Sequence, residues 1–167
     1  TKAYTTQLIA LYVFALFVAE QKKLLSDAEI EHYKNDLLSL ADSVEEVLGC
    51  ESAIKKMSKK LVNQKDMFFL GRGLDYAVAM EGSLKLKEIS YIHSEPYAGG
   101  ELKHGPIALI EDGTVVVCIS TSSDLKPKMD SNIKEVVTRG AYIIGIQTEG
   151  FDTNGFDEMC SIPRVNE

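Results

Sequence analysis

The sequence of 167 residues carries 18 Lys and Arg against 25 Asp and Glu, a formal charge of −7, and 45% of it is apolar. That content supports one compact domain, or one domain with a helical appendage, and so excludes a disordered chain. The charge offers no field to hold DNA or RNA, whereas one small phosphorylated ligand stays open, because a local ring of backbone N–H groups holds a phosphate whatever the global charge.

In chain order, the stretch from Thr5 to Lys23 has good helix formers without Gly or Pro, and its centre is apolar on every side. A helix of that kind needs neighbours all round, so it is expected to be buried. Its most apolar run, Leu8 to Ala19, is twelve residues, short of the roughly 20 needed to cross a bilayer, and no membrane association is expected. No basic region or small-residue cleavage site precedes it. The abrupt start at Thr1 reads as the last helix of a domain whose body lies upstream. Ser26-Asp27-Ala28-Glu29 has the form of a capping box, and Ile30, Leu37, Leu38, Leu40, Ala41, Val44, Val47 and Leu48 recur at helical spacing up to Gly49. A further short helix is predicted over Glu51–Val62. These elements divide the chain into a helical segment, 1–48, and a second domain, 49–167.

There the period changes. Met67–Leu70 reads as a strand ending in Gly71-Arg72-Gly73, Leu74–Ile89 as a helix, and Thr114–Ser120 as a β-branched strand. Met129–Arg139 reads as a helix closed by Gly140, followed by strands over Ala141–Gln147 and Met159–Pro163. Continuous apolar strands alternating with helices predict an α/β fold, a parallel sheet covered on both faces in a three-layer α/β/α arrangement. Ligands in such sheets collect at the carboxyl ends of the strands. The three cysteines, Cys50, Cys118 and Cys160, lack paired spacing, which argues against a disulfide framework and a zinc site and fits a reducing cytoplasm. Cys118, inside the run Val115–Ile119, reads as a core residue. No cofactor or metal site is read from the sequence.

Chemistry concentrates between residues 70 and 106. At 100° per residue, Glu81, Lys85 and Glu88 fall within about 60° of one helical face, while Lys87 points the other way. Two carboxylates flanking an ammonium fit a general base held beside a cation. On spacing alone, an exposed ion-pair ladder is the simpler reading. The position of the helix, directly after a strand and a glycine turn, shifts the balance towards a site. The turn lacks the spacing of a dinucleotide-binding loop.

After the helix, about sixteen residues through Pro106 read as a loop that holds His93, Glu95, Pro96, Gly99, Gly100, Glu101 and His104. His104 stands before Gly105-Pro106, where its imidazole cannot easily join a core, and a neutral imidazole there is placed to relay a proton to a sugar ring oxygen. A plain surface histidine is the alternative. His93 reads as structural or surface. Ser120-Thr121-Ser122-Ser123-Asp124 has hydroxyls able to bind phosphate, but without a glycine it reads as helix capping.

Glu81-Gly82-Ser83-Leu84-Lys85-Leu86-Lys87-Glu88-Ile89-Ser90-Tyr91 and Gly100-Glu101-Leu102-Lys103-His104-Gly105-Pro106, with Phe69–Gly73 and Thr1–Gln7, resemble the isomerase half of the glutamine–fructose-6-phosphate aminotransferases, built from two sugar isomerase (SIS) subdomains. The resemblance covers most of the chain. It implies that Glu88 moves a proton between C1 and C2 of a ketose phosphate. It also implies that His104 helps to open the cyclic sugar in the active site of a neighbouring subunit, hence a homodimer, and that Lys85 and Glu81 support the base. The full-length enzyme would make glucosamine 6-phosphate and glutamate from fructose 6-phosphate and glutamine. The family's phosphate loop would lie before Thr1 and its Schiff-base lysine beyond Glu167, so the segment alone is expected to be inactive. A related SIS enzyme such as a fructosamine-6-phosphate deglycase, or a non-catalytic sugar-phosphate-binding dimerisation module, are the alternatives.

Overall fold

The computed structural model describes residues 2–152 and 154–165, which form two compact units meeting between Gly49 and Cys50. Thr1 and Glu167, the outer limits of the two expected segments, lie outside the described residues.

The first unit holds α1 (Lys2–Gln21) and α2 (Asp27–Leu48). The expected capping box opens α2: Ser26 Oγ accepts the Glu29 N–H at 3.3 Å, and the Glu29 carboxylate accepts the Ser26 N–H at 2.8 Å. Two orphan donors at the helix start are thereby satisfied reciprocally. Between the helices the chain turns at Lys23, whose φ is +52°, and Lys34 of α2 pairs with Glu20 of α1 at 3.4 Å.

The expectation that α1 is buried is not met. Leu11, Val13, Phe14 and Phe17 are 54–64% exposed, because the described residues place too few apolar partners around it. The helix also runs well past the apolar core of its sequence, and the span Ala3–Gln21 is long and apolar enough, by length and composition, to cross a membrane.

In the second unit α3 (Glu51–Leu61) leads into β1 (Asp66–Gly71), α4 (Leu74–Ser90), β2 (His93–Ala98), β3 (Val115–Ser120), α5 (Lys126–Val137), β4 (Tyr142–Thr148) and β5 (Glu158–Ile162). The strands form one parallel sheet in the order β2-β1-β3-β4-β5. Alternate side chains divide the core between its faces. Met67, Phe69, Val115, Val117 and Ile144 pack with Met57 of α3 and Ala79 of α4, whereas Phe68, Leu70, Val116, Cys118 and Ile143 pack with Met129, Ile133 and Val136 of α5. Cys118 is fully buried, as expected of a core residue. The three layers are those read from the sequence.

The predicted sixteen-residue loop is corrected. Its first part is β2, paired in parallel with β1 from Asp66↔His93 to Gly71↔Ala98, and 3-10 turns cover Leu102–His104 and Pro106–Leu109. The polar sequence and Pro96 hide the strand. Its position at the sheet edge explains why both are tolerated, since an edge strand pairs on one side only.

Candidate functional site

The chain leaves β1 and β3 in opposite directions. The crossover through α4 leads to β2 on one side, and the crossover through α5 leads to β4 on the other. The switch point of the sheet therefore lies at the carboxyl ends of β1 and β3, the edge where open α/β sheets bind ligands. Gly71 allows the sharp entry into α4: a Cβ there would stand 2.5 Å from the Asp75 backbone. Asp75, buried in the first turn of α4, accepts the Thr121 backbone N–H at 2.9 Å and the Thr121 hydroxyl. A carboxylate of the chain itself thus ties the loop after β3 to the start of α4.

Within Ser120–Asp124, this arrangement ties Thr121 to α4. Leu125, the residue before α5, provides no side-chain cap, and the Thr121 hydroxyl donates to Asp75. Nothing local in the sequence marks Asp75. An acidic residue in a first helical turn reads as ordinary dipole compensation, and only the tertiary fold brings Thr121 to it.

α4 presses its small residues Ala79, Gly82 and Ser83 against the sheet, and a Cβ at Gly82 would come 3.2 Å from the Phe69 ring. Ser83 and Ser94 pair their hydroxyls at 2.8 Å in the interior, anchoring α4 to β2. Glu81, Lys85 and Glu88 project from the opposite side of the helix. Lys85 Nζ lies 2.6 Å from Glu88 Oε2 and 3.8 Å from Glu81 Oε1. Lys85 and Glu81 are about three-quarters covered, whereas Glu88 is 51% exposed. The hydrogen bond to Glu88 raises the Lys85 pKa above the ordinary lysine value, burial opposes this, and the charges of both carboxylates add to the rise. The ammonium is thereby kept charged, and it holds the Glu88 carboxylate at the open end of the cluster.

His104 is not brought to this cluster within the chain. Its 3-10 turn is anchored by fully buried Leu102, which belongs to the core on the α5 face, and the His104 side chain is exposed. His93, at the start of β2, is an exposed partner of Asp66, with Nδ1 at 2.9 Å from its carboxylate.

The comparisons agree with this architecture. Residues 60–153, more than half of the chain, match the SIS domain family. The chain is 57% identical to a glutamine–fructose-6-phosphate aminotransferase [isomerizing] of Clostridium acetobutylicum and 60% identical to that of Clostridium tetani. The alignments cover 100% and 99% of this chain but 28% of each relative. Among solved structures, the C-terminal domain of glucosamine-fructose-6-phosphate aminotransferase from Francisella tularensis superposes with a TM-score of 0.94 at 37% identity, over 99% of this chain and 47% of that one. With its three-layer parallel sheet and its matched central region, the chain belongs to the SIS domain family.

Proposed function

We propose that this chain is part of the isomerase half of a glutamine–fructose-6-phosphate aminotransferase, which in full length converts fructose 6-phosphate and glutamine to glucosamine 6-phosphate and glutamate. The observation that carries the reading is the Glu81–Lys85–Glu88 cluster on the outer face of α4, within a chain 57–60% identical to two such enzymes along nearly its whole length. That identity favours the aminotransferase over a deglycase or a binding-only module.

In this reading Glu88 is the base. It takes a proton from one of the adjacent carbons C1 and C2 of the open-chain sugar phosphate and returns it to the other, on one face of an enediol-type intermediate. A fixed carboxylate needs only to pivot between neighbouring carbons, so one group serves both steps. Lys85 orients it through the 2.6 Å contact, and Glu81 holds the other side of the ammonium. His104 opens the cyclic sugar in the site of a second copy. Its anchorage on the α5 layer, across the sheet from α4, supports delivery to a partner rather than to Glu88 of its own chain. The phosphate loop and the ammonia-releasing domain belong to the rest of the longer chain, of which this segment spans about a quarter in its relatives. α1 is then a core helix of the preceding SIS subdomain, and the enzyme works in the cytoplasm.

The test is to assay the full-length protein with fructose 6-phosphate and glutamine. Formation of glucosamine 6-phosphate with stoichiometric glutamate is expected. Cleavage of fructosamine 6-phosphate without any synthase activity would assign the deglycase reading instead.

A further inference from the structure

Two cysteines from opposite ends of the second unit come together at its edge. Cys50 is the residue before α3, and its side chain makes no capping hydrogen bond there. Cys160 is the middle residue of β5, which forms one edge of the sheet. Both are free thiols and both are partly exposed, whereas Cys118 is fully buried.

The packing of α3 on β5 brings them there. α3 hands the chain to β1 at the amino ends of the strands, so it runs against the strand direction over the face that Met57 and Leu61 cover. Glu158, the first residue of β5, pairs with Lys60 in the last turn of α3 and accepts the Tyr142 hydroxyl at 3.2 Å. Side chains alternate along a strand, so Cys160, two positions on, shares the face of Glu158. The register partners of these two residues, Ile144 and Ile146, belong to the apolar cluster that Met57 and Leu61 join. Going back along α3 from Lys60 and forward along β5 from Glu158 leads the same way, to Cys50 and to Cys160. There the thiols meet. Burial raises the Cys160 pKa above the ordinary thiol value, and the charge of Cys50 and a hydrogen bond with it add to the rise. Cys160 Sγ also has a loose contact of 3.9 Å with the Ser161 carbonyl oxygen.

We infer that Cys50 and Cys160 form a redox modification site, a dithiol that a small disulfide such as glutathione disulfide converts to an intramolecular disulfide. The Cys50 thiolate attacks one sulfur of the small disulfide, forms a mixed disulfide and expels a first thiolate. Cys160 then gives up its proton and attacks the Cys50 sulfur, and the second thiolate leaves. One S–S bond forms in the protein as one breaks in the reagent. Two electrons pass to the reagent, and the two thiol protons end on the thiols released. Burial keeps Cys160 protonated, which assigns the first attack to Cys50 and the resolving step to Cys160. Contact between the thiols makes that second step intramolecular and so favours it over a second external attack. In a reducing compartment the pair stays open. Closed, it fastens the start of α3 to an edge strand, next to the junction of the two units. Neither cysteine belongs to the cluster on α4, so the site does not depend on the aminotransferase reading.

The test places the full-length protein in glutathione buffers of increasing oxidised fraction, traps the remaining thiols with N-ethylmaleimide and maps the unreduced digest by mass spectrometry. A peptide holding Cys50 linked to one holding Cys160 is expected, rising with the oxidised fraction and lost on adding dithiothreitol, while Cys118 stays a thiol. Cys160→Ser removes the resolving thiol and is expected to leave glutathione on Cys50, at least about fivefold more than the parent carries there. In Cys50→Ser, glutathione is expected to reach Cys160 about tenfold more slowly than it reaches Cys50 in Cys160→Ser. Both thiols free at every ratio, glutathione on Cys50 of the parent without the linked peptide, equal rates in the two variants, or a linked peptide that forms only after unfolding in urea would overturn the assignment.

Discussion

The Asp75 carboxylate receives the Thr121 backbone N–H at 2.9 Å across the carboxyl ends of β1 and β3, the edge where a sheet of this topology would otherwise be open. Thr121 is held a second time through its carbonyl, which accepts the Thr148 hydroxyl at 3.1 Å. The loop after β3 is therefore pinned to α4 on one side and to the end of β4 on the other.

Removing that carboxylate strands a partly buried N–H and hydroxyl. Asp75→Ala is expected to lower stability by about 1–3 kcal/mol, the cost of leaving a buried donor unpaired. Asp75→Asn, which keeps one acceptor, is expected to lose less. Urea unfolding of the two variants beside the parent chain measures both.

On the proposed function, the Lys85–Glu88 contact serves catalysis more than folding. In the full-length enzyme Lys85→Met is expected to lower kcat about tenfold or more, because Glu88 loses the ammonium that orients it, while KM for fructose 6-phosphate changes less than about threefold. Little change in thermal midpoint is expected, since ion pairs on an accessible helix face contribute little to stability. A loss confined to KM would reassign Lys85 to substrate binding.

The ends of the sheet respond to acid. Glu158 of β5 is paired with Lys60 of α3, and that hydrogen bond lowers the Glu158 pKa below 4.5 in the folded chain. Because the unfolded carboxyl holds its proton to higher pH, unfolding takes up protons in this window and stability rises with pH. The contribution is present above about pH 4.5 and is lost as pH falls through the depressed value. Thermal melts between about pH 3 and pH 7 are expected to show a shallower acid decline for Glu158→Gln than for the parent chain. Parallel declines would show that the pair has no part in it.

Much of this structure was legible in the chain because the interior strands state their environment. Met67–Leu70 and Val115–Ile119 are apolar without interruption and Tyr142–Ile146 is broken only by Gly145, as befits strands covered on both faces. β2 does not announce itself, because an edge strand pairs on one side and can carry His93, Glu95 and Pro96. α1 was expected to be buried from its composition, yet within the described residues its apolar side chains remain exposed. Apolar periodicity announces that a face will be covered without naming what covers it.

At the candidate site, helical geometry alone placed Glu81, Lys85 and Glu88 on one face. The tertiary partners were invisible for a different reason. Asp75 and Thr121 stand 46 positions apart, and Arg72 and Asn132 stand 60 apart, so no local pattern links either pair. Only the sheet order, which sets β1 beside β3 and folds α5 over the loop after β2, brings them together.

The most direct measurement of the central claim is complementation between two inactive full-length variants, Glu88→Gln and His104→Ala, dissociated together and reassociated. If each site takes Glu88 from one chain and His104 from the other, half of the random dimers are mixed and each mixed dimer regains one intact site. Activity is then expected to recover to about a quarter of the parent value. A mixture that forms mixed dimers and stays as inactive as its components would contradict the account, because it would place both groups in the same chain's site or remove one of them from the chemistry.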